Sequence, residues 1–122
     1  MLPDRYRVLG YTSAYLGLRW QELAGLRRER VDLRPGRPAT LRVVDTIERA
    51  KGVSRPVAYG KSDAARRTLK MPDFLRDALA WHFGEFHSDG WVFAAPEGGH
   101  LQYTNFRRRI WAPAVRSAGL DR

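Results

Sequence analysis

Gly17-Leu18-Arg19-Trp20-Gln21-Glu22-Leu23-Ala24-Gly25-Leu26 is the stretch on which the reading of this chain turns. Gly17 permits a bend after a loosely helical run that contains Tyr6, Leu9 and Leu16. The residues from Arg19 to Arg28 then read as a helix, with Leu23 and Leu26 three apart on one face. Arg27, Arg28 and Arg30 at its end suit the negative pole of the helix dipole. Arg19 opens this helix between apolar residues, where it would be partly shielded from water. A shielded guanidinium needs an acceptor, and Glu22 at i+3 is within reach. Two readings stay open at this point: a structural Arg19–Glu22 pair, or a cation held ready for chemistry.

Working outward, Pro3-Asp4 opens the first helix, with a proline in the first turn and an acid at the positive pole. Beyond the quoted stretch, Val31-Asp32-Leu33 is a short extended piece and Arg34-Pro35-Gly36-Arg37-Pro38 is a turn. Thr40 to Ile47 is rich in β-branched residues and reads as one strand. The chain turns at Ala50-Lys51-Gly52 and returns as a second strand from Val53 to Tyr59, where Pro56 indicates an edge or a bulge. A loop from Gly60 to Ala65 leads to a third strand, Arg66 to Met71, so the middle of the chain is expected to be an antiparallel meander. Pro72-Asp73 opens another helix, on which Leu75, Leu79 and Phe83 form a core-facing stripe with Phe74, Ala78 and Phe86 beside it. Trp91-Val92-Phe93 reads as a short apolar strand and Pro96-Glu97-Gly98-Gly99 as a turn. Thr104 caps a last helix that carries Phe106, Ile110 and Ala114, is bent at Pro113 and stops at Gly119. The expected class is α+β, mainly helical, with a small antiparallel three-stranded sheet.

The chain has 122 residues, enough for one domain with a real core. Hydrophobic residues make up 43% and aromatic residues 11%, which excludes intrinsic disorder. The net charge is +9, carried almost entirely by arginine. Arginine offers a planar fork that fits phosphate oxygens, so nucleic acid is the first partner to consider. No cysteine is present, which excludes disulfides and thiolate metal sites. No apolar run is long enough to span a bilayer as a helix, and the start of the chain lacks the shape of a signal peptide, so the expected location is cytoplasmic, without membrane contact.

Lys61 lies in the loop Gly60-Lys61-Ser62-Asp63, in a chain whose other lysines are Lys51 and Lys70. A lysine can give up its proton near neutral pH where arginine cannot. Taken alone, Lys61 is an ordinary loop lysine. Taken with its surroundings, the chain resembles one family. Gly17 to Leu26 followed by Val31-Asp32-Leu33 resembles the first conserved box of the tyrosine recombinases (phage integrases). Lys61-Ser62-Asp63-Ala64-Ala65-Arg66-Arg67-Thr68-Leu69-Lys70-Met71-Pro72 resembles that family's β-hairpin lysine segment. Trp91-Val92-Phe93, then Phe106-Arg107-Arg108-Arg109 and Ala118-Gly119-Leu120, resembles the stretch that leads to the second box.

The resemblance implies the N-terminal part of a catalytic domain that performs phosphoryl transfer on DNA without metal or cofactor. In that family a tyrosine attacks the scissile phosphate and two arginines clamp its oxygens, because preorganised cations stabilise the charge that spreads over them. Arg19 matches the first arginine, Lys61 the lysine that protonates the leaving 5′-oxygen, and Glu22 an acid that supports the placement of the arginine. Arg66, Arg67 and the run Arg107-Arg108-Arg109 are candidate contacts to the DNA phosphate backbone, with a solvated helix face as the alternative for the run.

The family's His-x-x-Arg box is missing from these 122 residues: His82 is followed three residues later by Glu85, His87 by Gly90, and His100 by Tyr103. None of Tyr6, Tyr11, Tyr15, Tyr59 and Tyr103 stands where the family's nucleophile does, and all five read as packing or DNA-facing residues. His82 beside an apolar stripe reads as structural, and His87 and His100 as solvent-facing. The expectation is a single partial domain over 1–122, a fragment of a site-specific recombinase or integrase that does not cleave DNA by itself. The alternative is a stand-alone basic DNA-binding module; an RNA-binding role ranks last, for want of an RNA motif. Missing helices would leave Leu75, Leu79, Phe83, Phe106 and Ile110 partly exposed, so self-association is expected as well.

Overall fold

A computed structural model describes residues 4–60, 62–86, 90–102 and 106. Helix α1 spans Asp4–Leu16 and buries Tyr6, Val8, Leu9 and Thr12, whose hydroxyl donates to the Val8 carbonyl at 2.8 Å. Gly17 follows at φ +67°, a left-handed conformation that L side chains rarely adopt, and its N–H closes the helix on the Ser13 carbonyl. Helix α2, Trp20–Gly25, is shorter than the expected Arg19–Arg28 helix. After it the chain makes a 3₁₀ turn at Arg28–Arg30 and runs into the short strand β1, Val31–Asp32.

The continuous strand expected over Thr40 to Ile47 is two strands in two sheets. β2 is Thr40–Val43 and β3 is Asp45–Ala50. Leu41 and Val43 alternate with exposed Arg42, but Val43 and Val44 are both buried. This slip in the period of two moves the chain from one sheet to the other. β3 forms a hairpin with β4, Val53–Ala58, in the register Ala50↔Val53 to Asp45↔Ala58. Pro56 lies opposite Ile47 in a strand whose far side has no partner strand among the described residues, which is where the missing N–H of proline is tolerated. β5, Arg67–Lys70, then returns to β2, so the three-stranded sheet has the order β1-β2-β5. The expected meander is therefore corrected: the hairpin is an excursion between two neighbours of one antiparallel sheet.

Helix α3, Asp73–Glu85, buries Leu75, Leu79 and His82. Tyr15 near the end of α1 packs edge-on against Phe74 near the start of α3, with ring centroids 4.7 Å apart. Arg5 near the start of α1 sits over the ring of Phe86, just past the end of α3, at 5.0 Å. The two helices thus run antiparallel. Trp91-Val92-Phe93 is not a sheet strand: it meets Arg27 in a single bridge, with the Val92 N–H on the Leu26 carbonyl, and residues 91–95 are all buried.

Leu75 and Leu79 are fully buried, Phe106 is 7% exposed and Phe83 is half-buried. The expectation of partial exposure is corrected for Leu75, Leu79 and Phe106, which lie in one core with residues of α1 and of the 91–95 segment, and stands for Phe83. Ile110 lies outside the described residues. Among the described residues, the large apolar side chains that are exposed are Tyr11, Tyr15, Val53, Phe74 and Trp81. No helix among the described residues is long and apolar enough to cross a membrane.

Candidate functional site

Helix α2 enters directly from Gly17-Leu18-Arg19, and its orientation is set by contact with β3. An added Cβ on Gly25 would meet the Thr46 backbone at 2.7 Å, so only glycine lets the helix end lie this close to the strand. This packing places the start of α2 beside the end of β4 and the start of β5.

Arg19 is exposed and occupies the N-cap position with extended backbone, φ −73° and ψ 157°. Its carbonyl accepts the N–H groups of Glu22 and Leu23. Glu22, three residues on, is 1% exposed. Its Oε1 accepts the Arg19 backbone N–H at 3.0 Å, the acidic half of a capping box. The Arg19–Glu22 contact is therefore made through the backbone. The ion pair of Glu22 is with Arg67, which donates from Nη2 to Oε1 and from Nη1 to Oε2, each at 3.0 Å. The Tyr59 hydroxyl donates to Oε2, also at 3.0 Å.

Each carboxylate oxygen thus accepts two hydrogen bonds, which is what a buried carboxylate requires to stay charged. Burial pushes the Glu22 carboxyl up, but the hydrogen bonds from Arg67, the Arg19 N–H and Tyr59 outweigh it, and the group lies below its ordinary 4.5. Burial raises the Tyr59 hydroxyl and its bond to Glu22 adds to this, so it remains a donor. The hydrogen bond to Glu22 likewise raises Arg67.

Among the other expected site residues, Arg66 is half-buried before β5, with its N–H on the Asp63 carbonyl. Arg67, expected at the DNA backbone, spends its fork on Glu22 and also donates to the Ala65 carbonyl at 2.7 Å. Lys61, Arg107, Arg108 and Arg109 lie outside the described residues. So do His87 and Tyr103. Residues on both sides of position 61 form a turn, with the Asp63 N–H on the Gly60 carbonyl and the Asp63 carboxylate accepting the Ala65 N–H at 2.9 Å.

Sequence reasoning missed Tyr59 and the pairing of Arg67. Their partner is 37 and 45 residues away, beyond any local pattern. The readable signal was the acid itself: a glutamate one turn into an apolar helix must find donors elsewhere. The arginines after α2 serve other elements too. Arg27 sits over the Trp91 ring at 4.3 Å, Arg28 donates to the carbonyls of Phe83, Phe86 and Trp91, and Arg30 pairs with Asp45 at 2.9 Å.

His82 is structural: it is 1% exposed, its Nε2 lies 2.7 Å from the Val92 carbonyl oxygen, and burial lowers its pKa. His100 is half-buried rather than solvent-facing, against Trp91 at 5.8 Å. A cavity of about 400 Å³, lined by Trp20, Gln21, Ile47, Arg49, Ser54 and Leu101, opens between α2 and the hairpin, next to Arg19 in sequence. Among the described residues no cluster of three or more His, Asp or Glu side chains could hold a metal ion.

No protein-family model matches this sequence, and no curated protein matches it. The fold does match solved structures. XerA recombinase superposes with a TM-score of 0.69 at 20% identity, over 98% of this chain and 38% of that one. The Tn1549 transposon integrase in complex with transposon right end DNA superposes with a TM-score of 0.74 at 18% identity, over 94% of this chain and 38% of that one. The same integrase in complex with circular intermediate DNA gives 0.75 at 17% identity, over 95% and 39%. Both neighbours are tyrosine recombinases. The chain spans under two-fifths of their length, and its α+β fold is that of part of such a protein.

Proposed function

We propose that this chain is part of a site-specific DNA recombinase or integrase of the tyrosine type, and that Arg19 is one arm of its phosphate clamp. One observation carries the reading: an exposed guanidinium starts at an N-cap whose backbone is tied to a buried, fully hydrogen-bonded carboxylate, within a recombinase fold. A cation whose backbone is anchored in this way starts from a fixed point, from which it can reach charge on a transferring phosphoryl group. In the complete reaction a tyrosine oxygen bonds to phosphorus, the bond from phosphorus to the 5′-oxygen breaks, and Lys61 gives that oxygen its proton. Arg66 and the run Arg107-Arg108-Arg109 add backbone contacts, and a cytoplasmic location goes with this role. These 122 residues contain no His-x-x-Arg box, so this chain alone binds DNA without breaking it.

Duplex binding followed against salt tests the reading. The affinity should fall along a log–log line, by about 0.9 per phosphate contact, and Arg19→Ala should flatten the line by about one contact. Binding that ignores salt, or no binding at low salt, sinks it. A suicide duplex incubated with the chain should give no covalent protein–DNA product. A salt-sensitive complex that is indifferent to Arg19→Ala would instead favour a general basic DNA-binding module.

A further inference from the structure

We propose that Tyr59 and Arg67 are positioning residues, which hold Arg19 in place through Glu22 and tie both ends of the 60–66 loop to the same carboxylate. Glu22 Oε1 is shared by the Arg19 N–H and Arg67 Nη2, and Oε2 by the Tyr59 hydroxyl and Arg67 Nη1, all at 3.0 Å. One buried group therefore connects the turn that carries Arg19 to the last residue before the loop and the first residue of β5. Tyr59 is anchored further by its N–H on the Val44 carbonyl at 2.8 Å, and Arg67 by the Ala65 carbonyl. A bidentate fork fixes direction as well as distance, which a lysine at position 67 would not do. Removing one donor leaves a buried carboxylate oxygen short of a partner, and the carboxylate then shifts to recover it. The Arg19 N–H shares that carboxylate, so the shift is passed to the N-cap backbone from which the Arg19 side chain starts.

The inference rests on the reading of Arg19 as a phosphate contact, and two measurements on the full chain separate the two claims. The first reads the Arg19 backbone amide by NMR, without DNA. Arg67→Lys and Tyr59→Phe should each speed its hydrogen exchange by about tenfold, whereas Arg55→Lys should leave it unchanged, because Arg55 pairs with Glu48 elsewhere on the hairpin. An Arg19 amide that is indifferent to both Arg67→Lys and Tyr59→Phe overturns the inference. Tyr59→Phe keeps the ring and removes one hydrogen bond, so it decides the matter even if Arg67→Lys fails to fold.

The second measurement is a double-mutant cycle on duplex DNA affinity. Arg67→Lys keeps the charge and loses the fork, so it should weaken binding nearly as much as Arg19→Ala. The double variant should bind no more weakly than Arg19→Ala alone. Additive losses would make Arg67 an independent contact and overturn the inference. If the unmodified chain binds no DNA, the proposed function falls, and the amide measurement still decides the positioning role.

Discussion

Glu22 shows how one side chain can fix both stability and a site. Four hydrogen bonds compensate its burial, so Glu22→Gln, which keeps the shape and loses the charge, should cost about 2–3 kcal/mol in thermal or denaturant unfolding, less than for a wholly enclosed pair because Arg67 is about one-third exposed. The carboxyl lies below its ordinary 4.5, so its contribution is complete above that value and is lost as the pH falls towards the folded-state value. His82 acts in a separate window. Burial, with Arg28 and Arg5 adding to it, holds the ring below its ordinary 6.5, and the Val92 carbonyl only partly offsets this. The unfolded chain takes up a proton near that value which the folded chain refuses. Stability from this source is therefore complete above 6.5 and declines below it. His82→Gln should flatten the fall in melting temperature between about pH 7 and 5.5, and an unchanged slope would show that the ring is not responsible. At Gly25 the argument is steric. Gly25→Ala puts a methyl group 2.7 Å from the Thr46 backbone and should cost about 1–3 kcal/mol, read by chemical denaturation.

At the scale of elements, helix ends and strand breaks were the least legible features. The arginines after α2 looked like charges for its own dipole, but Arg28 caps the end of α3 instead, with its guanidinium across the carbonyls of Phe83, Phe86 and Trp91 and its Cζ 4.6 Å from the Phe83 ring centroid. Arg28→Met should cost about 1–3 kcal/mol and speed amide exchange in the last turn of α3. Arg28→Lys should rescue it poorly, since a point ammonium cannot span three acceptors. The strand break at Val44 was legible in principle, because two adjacent buried valines violate a period of two. Composition concealed it, since the whole run from Thr40 to Ile47 favours strand. Pro56 did announce its place, at the unpaired side of the hairpin.

At the scale of the molecule, Leu75, Leu79 and Phe106 of the apolar stripe named for self-association are covered, and four of the five exposed large apolar side chains among the described residues lie on α1 and α3, the fifth being Val53 at the start of β4. Tyr15 is 62% exposed, Phe74 45%, and Tyr11 and Trp81 each 43%. Self-association through this strip should appear in light scattering as an average mass that rises with concentration, and Tyr15→Ser with Trp81→Ser should abolish the rise; a constant mass in the parent chain rejects it. The sequence by itself determined the α+β class, α1 and α3, the bend at Gly17, the core positions Leu75 and Leu79, and the prominence of Arg19 and Glu22. These follow from local periodicity, turn chemistry and residue type, which act over a few residues. Only the tertiary structure decided that Glu22 joins Arg19 to Tyr59 and Arg67, that β2 pairs with β5 across an intervening hairpin, and that Arg28 closes a helix 45 or more residues away. Those choices come from burial. A carboxylate or a row of carbonyls taken out of water must find donors, and which donors arrive depends on how distant segments pack.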